Sequence, residues 1–159
     1  MAQHKLEITD IEEEFELIAI HTQLEDYKLA FYLNNVLLLK LYRSAEGIPQ
    51  KVGRNEFSFS KFHYEDEQLQ QYWSLSENKK NLVNNTMSGG LFSGLQVEHS
   101  KVYYLIPELK KADFVLKIEG CLLEEELGQL VREIIKINNV QTAYAVPVTE
   151  IKSKNNLIF

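Results

Sequence analysis

Apolar positions along the chain fall into short runs that switch between strand and helix periods. From Phe15 to His21 they are adjacent (Leu17, Ile18, Ala19, Ile20), which predicts a strand covered on both faces. Thr22-Gln23-Leu24-Glu25 has the spacing of a capping box, in which the Thr22 hydroxyl would accept an amide proton while Glu25 reaches back to the Thr22 amide. A helix follows, ending at Asn34-Asn35, where asparagine tolerates a left-handed stop. Leu37 to Tyr42 reads as a strand, and Gly47, Pro49 and Gly53 mark a loop beyond it. Residues 56–64 alternate at period two with one slip between Phe59 and Phe62. A bulge at Ser60-Lys61 would absorb that slip and keep Phe57, Phe59, Phe62 and Tyr64 on one face, where they are read as core.

Tyr72 to Leu75 is a short strand. Glu77 to His99 is polar and carries Gly89, Gly90 and Gly94, so it reads as one long connector, with a ligand-gated lid as the sharper alternative. Val102–Ile106 and Ala112–Ile118 are expected to form a hairpin around Pro107 to Lys111. Leu123, Leu127, Leu130, Val131, Ile134 and Ile137 recur at helical spacing behind a first turn of Glu124, Glu125 and Glu126, where the helix dipole favours negative charge. Val140 to Val146 closes as a strand before Pro147. Two strand–helix–strand passes, each implying a right-handed crossover, lay both helices on the same side. The fold class is therefore α+β: a mixed, mainly antiparallel sheet with two helices packed on one face. Residues 1–151 are read as one domain and 152–159 as a C-terminal tail.

The first helix is apolar on more than one side. Leu24, Tyr27, Ala30 and Phe31 form one face, while Leu29, Tyr32 and Leu33 lie towards another. A sheet covers only one stripe of a helix, so the second face needs a loop or another subunit. The tail ends in Leu157, Ile158 and Phe159, apolar residues that could dock on the domain or on a partner. These two groups (Leu29, Tyr32, Leu33; Leu157, Ile158, Phe159) are the candidate partner-binding residues. Glu108 and Asp113 flank a turn holding Lys110 and Lys111 and are the least unlikely acid–base pair, although on an exposed turn they would simply be solvated or ion-paired. His4, His21, His63 and His99 are dispersed; His63 with Glu65 and Asp66 is the nearest approach to a metal-ligand set, and no metal or cofactor is expected.

The 159 residues are 45% apolar and 25% charged, an ordinary globular composition that needs no staple. A net charge of -6 opposes nucleic acid and anionic membrane as partners, because phosphate contacts reward the opposite sign. The single cysteine, Cys121, suits a reducing compartment, and the N-terminus lacks the layout of a signal peptide, so a cytoplasmic protein is expected. The longest aliphatic run, Val36 to Leu39, is far too short to span a membrane. Phosphate-binding glycine motifs, a nucleophile elbow and a metalloprotease motif are all missing from the sequence.

Ile106-Pro107-Glu108, three residues, then Ala112-Asp113-Phe114 resembles a small bacterial family named for the pattern Ile-Pro-Glu-x-x-x-Val-Asp-Tyr, with Ala112 in place of Val and Phe114 in place of Tyr. Leu24-Glu25-Asp26-Tyr27, the Phe57-to-Phe62 strand and the Lys-Asn-Asn-Leu-Ile-Phe terminus also look familial. The resemblance implies a bacterial cytoplasmic protein and transfers no catalytic residue. The function expected from the sequence is a non-enzymatic protein-interaction or self-associating module. The alternative is a small-ligand protein or enzyme that uses 77–99 as a lid and Glu108 and Asp113 as polar groups.

Overall fold

The computed structural model describes residues 14–86 and 97–159. Its centre is a six-stranded sheet built from β1 (Phe15–Thr22), β2 (Tyr42–Arg43), β5 (Lys61–Asp66), β6 (Gln71–Glu77), β9 (Phe114–Glu119) and β10 (Val140–Val146), in the order β10-β1-β9-β6-β5-β2. Every neighbouring pair in it is antiparallel. Helices α1 (Asp26–Leu37) and α2 (Glu124–Ile135) share one face, as the patterning predicts. Because β1 pairs antiparallel with both β9 and β10, α2 carries the chain over β1 from one flank to the other. Two hairpins stand apart from the sheet, β3 (Ile48–Val52) with β4 (Asn55–Phe59) and β7 (Lys79–Thr86) with β8 (Val97–Tyr104).

Period-two alternation divides the apolar residues between two cores. On the helix-covered face Ile18, Ile20, Trp73, Leu75, Leu116 and Ile118 meet Leu29, Ala30 and Leu33 of α1 and Ile134 of α2. On the other face Leu17, Ala19 and Val115 meet Ile48 and Phe59 of the β3–β4 hairpin, Leu105, Ile106, Ile151 and Leu157. The adjacent apolar run in β1 thus reflects burial on both sides, as expected.

Several local expectations are overturned. The Thr22–Glu25 box does not form. The Thr22 hydroxyl does accept the Leu24 amide (3.1 Å), but it donates to the Asn139 carbonyl, and the Thr22 amide goes to Asp113 rather than to Glu25. Glu25 instead takes the Tyr27 hydroxyl (2.6 Å) and pairs with Lys28. The reciprocal cap lies on α2, where Glu126 reaches back to the Leu123 amide (2.8 Å). Helix α1 continues past Asn34-Asn35 to Leu37 and stops at Leu38, which takes the left-handed conformation (φ 56). Asn34 is otherwise engaged, since its amide group binds both the amide and the carbonyl of Leu41. The strand expected at Leu37–Tyr42 shrinks to β2.

The region read as a loop at 47–53 is the β3–β4 hairpin, turned at Gly53 with φ +63. The aromatic segment breaks at Ser60 into β4 and β5, which belong to different sheets. Phe62 and Tyr64 therefore face the helices, while Phe57 and Phe59 pack on the opposite side, and the four do not share a face. The long connector is strand at both ends, in β7 and β8; residues 87–96 between them lie outside the described residues. The 102–106 and 112–118 segments do not pair, because β8 takes β7 as its partner and β9 is inserted between β1 and β6.

Candidate functional site

The Ile-Pro-Glu segment is a structural knot. Ile106 and Ala112 are fully buried, Pro107 opens a short 3₁₀ turn (Pro107–Leu109), and Phe114 enters the helix-side core. Asn78, also fully buried, holds the knot shut. Its side-chain amide donates to the carbonyls of Leu109 (2.8 Å) and Ala112 (3.1 Å), and its side-chain oxygen accepts the Ile106 amide (2.7 Å). Its own backbone joins Leu105 and Asp113. Nothing in the sequence pattern marks Asn78, because a buried asparagine between two strands reads as a turn residue.

Glu108 and Asp113 are each engaged by the chain's own backbone. Glu108 accepts the amides of Lys152 (2.8 Å) and Ser153 (2.9 Å) and the Ser153 hydroxyl (2.7 Å), which ties the C-terminal segment to the knot. Burial pulls its carboxyl up, but the Ser153 hydroxyl and then the surrounding amides outweigh that and hold it below the usual carboxylate value. Asp113 accepts the Thr22 amide (3.0 Å) and lies 3.6 Å from the Lys79 ammonium. The two carboxylates hold separate segments and converge on no common space.

The six candidate partner residues divide. Leu29, Leu33 and Leu157 are sealed inside this chain's own two cores, which removes them from any partner surface. Tyr32 is partly exposed, Ile158 is exposed, and the Phe159 ring lies 4.8 Å from the Lys61 ammonium and 5.6 Å from that of Lys117. On α1 the outward residues are Tyr27 (54% exposed) and Phe31 (62%), with Leu38 (85%) beyond its end, so the orientation of the helix is the reverse of one in which Leu29 and Leu33 meet solvent. Among the described residues no group of three His, Cys, Asp or Glu side chains could hold a metal; His63 sits instead against the rings of Tyr42 (4.1 Å) and Tyr72 (6.1 Å).

The helix-free face of the middle strands is polar yet covered. Register places Leu17, Lys117, Ser74 and His63 in one row across β1, β9, β6 and β5, and Val115, Ser76 and Lys61 in the next. Lys117, Ser74 and Ser76 are 3%, 1% and 1% exposed. The Lys117 ammonium donates to the Glu119 carboxylate and to the Leu157 carbonyl (2.8 Å), and lies 4.9 Å from the Phe15 ring. The Ser74 and Ser76 hydroxyls and Nδ1 of His63 have no hydrogen-bond partner among the described residues. Burial, then repulsion from Lys117, pushes the Lys61 ammonium down; burial and the Lys61 charge do the same to the His63 imidazolium. A cavity of about 740 Å³ opens beside Lys117, walled by Phe15, Leu122, Val146 and Ile158.

The sheet's two edges differ. β2 offers two residues, one of them Arg43, whereas β10 offers seven, Val-Gln-Thr-Ala-Tyr-Ala-Val, with no charge and no proline. Among the described residues nothing pairs with the outer side of β10. Sequence reasoning reads β10 as a strand but has no signal for its place in the sheet, and it passes over Lys117 as one cation in an apolar strand. No described helix is long and apolar enough to cross a membrane. No family model, curated protein or solved structure matches the chain, so the likeness to the Ile-Pro-Glu family rests on the residues that carry it.

Proposed function

We propose that this chain is a non-enzymatic protein-interaction module that self-associates, with the outer edge of β10 pairing antiparallel to the same edge of a second copy in a bacterial cytoplasm. The observation that carries the reading is the seven-residue uncharged edge strand. Exposed edges are ordinarily blunted by lysine, proline or shortness, and β2 has two of these guards, being short and charged, while β10 has none. A twofold axis brings identical residues together, and a strand without charges meets its copy without like-charge repulsion. One strand pair buries modest area, so the dimer is an exchanging one. The free cysteine, Cys121, is exposed and fits a reducing compartment. The rival reading, an enzyme working through Glu108 and Asp113, has less support because both carboxylates are occupied by backbone amides.

Sedimentation velocity over a concentration series tests the proposal. The intact chain shifts from monomer to dimer, and replacing the exposed Thr142 and Tyr144 together by lysine weakens dimerisation by about tenfold or more, equivalent to about 1.4 kcal/mol. A monomer at every concentration overturns it, as does a dimer indifferent to the two lysines.

A further inference from the structure

The cavity beside Lys117 has the composition of a small-molecule site. Its volume, about 740 Å³, lies in the range of ligand pockets, its walls are apolar at Phe15, Leu122 and Val146, and a single buried ammonium stands at its floor. That ammonium is held by Glu119 and the Leu157 carbonyl from the side of the tail. Directly across the ladder from it is Ser74, whose hydroxyl is buried and unpartnered; the next row on the same face adds the equally unpartnered Ser76 and the cationic Lys61. A buried hydroxyl without a partner costs about 1–3 kcal/mol, so a cluster of such groups beside a buried cation is expensive unless something else uses it. Hydroxyl donors and ammonium groups together match an oxyanion, and Lys154 adds a second cation at the cavity wall. Glu14 and Glu16 also line the cavity, where they disfavour an anionic body and leave the anionic group its place at Lys117.

We propose that this cavity binds a small amphipathic oxyanion, with its apolar body against Phe15, Leu122 and Val146 and its anionic head on Lys117 and Ser74. The head takes the place of the Leu157 carbonyl on the ammonium, so binding loosens the final turn of the tail. The site lies on the sheet face and owes nothing to the β10 edge, so its failure leaves the self-association reading untouched.

The test titrates the full chain with octanoate, with octanol as the same body uncharged, and with inorganic phosphate as a head without a body, followed by amide chemical shifts. Octanoate is expected to give saturable shifts at Lys117, Val146 and Ile158 and to bind about tenfold or more tighter than octanol, as a charge-assisted contact in a buried site provides. Lys117→Met should bring the two affinities together; should that variant fail to fold, Ser74→Ala should narrow the gap in the same direction. Phosphate shifting the same amides and competing with octanoate supports the anionic subsite and assigns the head to phosphate. The proposal is overturned if no probe gives saturable shifts, if octanol binds as tightly as octanoate, or if the preference survives both substitutions.

Discussion

The two faces of the central sheet solve burial in opposite ways. Under the helices the strands present Ile18, Ile20, Trp73, Leu75, Leu116 and Ile118, and the amphipathic stripes of α1 and α2 close over them with side chains alone. On the other face no helix is available, and the cover is assembled from the β3–β4 hairpin, the Ile106–Asp113 knot and the C-terminal segment. Irregular cover brings backbone amides and carbonyls down onto the sheet, and these must be paired. Polar side chains are the consequence: Asn78 locks the knot, Glu108 binds the tail, and Lys117 caps the Leu157 carbonyl. Polar residues on this face thus divide into those that hold the cover in place and those, Ser74 and Ser76, that the cover leaves unpaired.

The contrast breaks first at Asn78. Truncating Leu116 on the helix side removes apolar contacts and should cost about 2–5 kcal/mol. Asn78→Leu keeps the volume but strands the Ile106 amide and the carbonyls of Leu109 and Ala112, each worth about 1–3 kcal/mol when buried and unpaired, so its loss should equal or exceed that of Leu116→Ala. Chemical denaturation of both variants measures this. A clearly smaller loss for Asn78→Leu would mean that the knot is not what seals the helix-free face.

The same contrast decides what was legible in the sequence. Elements whose burial follows a helical or alternating stripe, such as β1, α2 and β10, stand at or within a few residues of their expected places, and the α+β class with both helices on one face follows from them. Readings fail where polar bonds rather than apolar period set the structure. Asn34 reads as a helix stop because asparagine often is one, yet it binds Leu41 and leaves the stop to Leu38. Residues 102–106 and 112–118 read as a hairpin because strands close in sequence usually pair, but Asn78 ties both ends of the knot to the β6–β7 corner and sends them to different partners. The Phe57–Tyr64 run hides its break because Ser60 looks like a bulge, although Ser60 is fixed by Glu77 at the switch between two sheets. Nothing of the Lys117 cavity is legible, since cross-strand rows do not exist until strand order does.

A smaller effect should separate the faces by pH, because the shifted groups on the cover side have lowered values. Above 4.5, the ordinary value for Glu108, its hydrogen bonds to Ser153 and Lys152 contribute fully; as the pH falls through its lower folded value the unfolded chain takes up the proton first and that stability is lost. His63, also lowered from 6.5, works the same way one step higher: its neutral form suits the fold, so stability falls as the pH drops below 6.5 towards its folded value. Glu108→Gln should flatten the acid limb of a stability–pH profile and leave the His63 limb in place. An unchanged acid limb would remove Glu108 as the clasp of the tail.

The smallest expected change is the most diagnostic. Ser74 and Ser76 carry buried hydroxyls with no partner among the described residues, so each pays desolvation without a compensating bond. Replacing either by alanine removes that penalty along with one oxygen atom's worth of packing, and the two terms are of similar size. Stability should change by less than about 1 kcal/mol and in the favourable direction, where the loss of a satisfied buried hydroxyl would cost about that much. Thermal unfolding of Ser74→Ala, Ser76→Ala and the double variant measures the sign, and adjacent positions on one strand face make the double variant a check on additivity. A loss well beyond 1 kcal/mol in either single variant would mean that the hydroxyl is already spent on the fold, and the helix-free face would then be as fully committed to stability as the face beneath the helices.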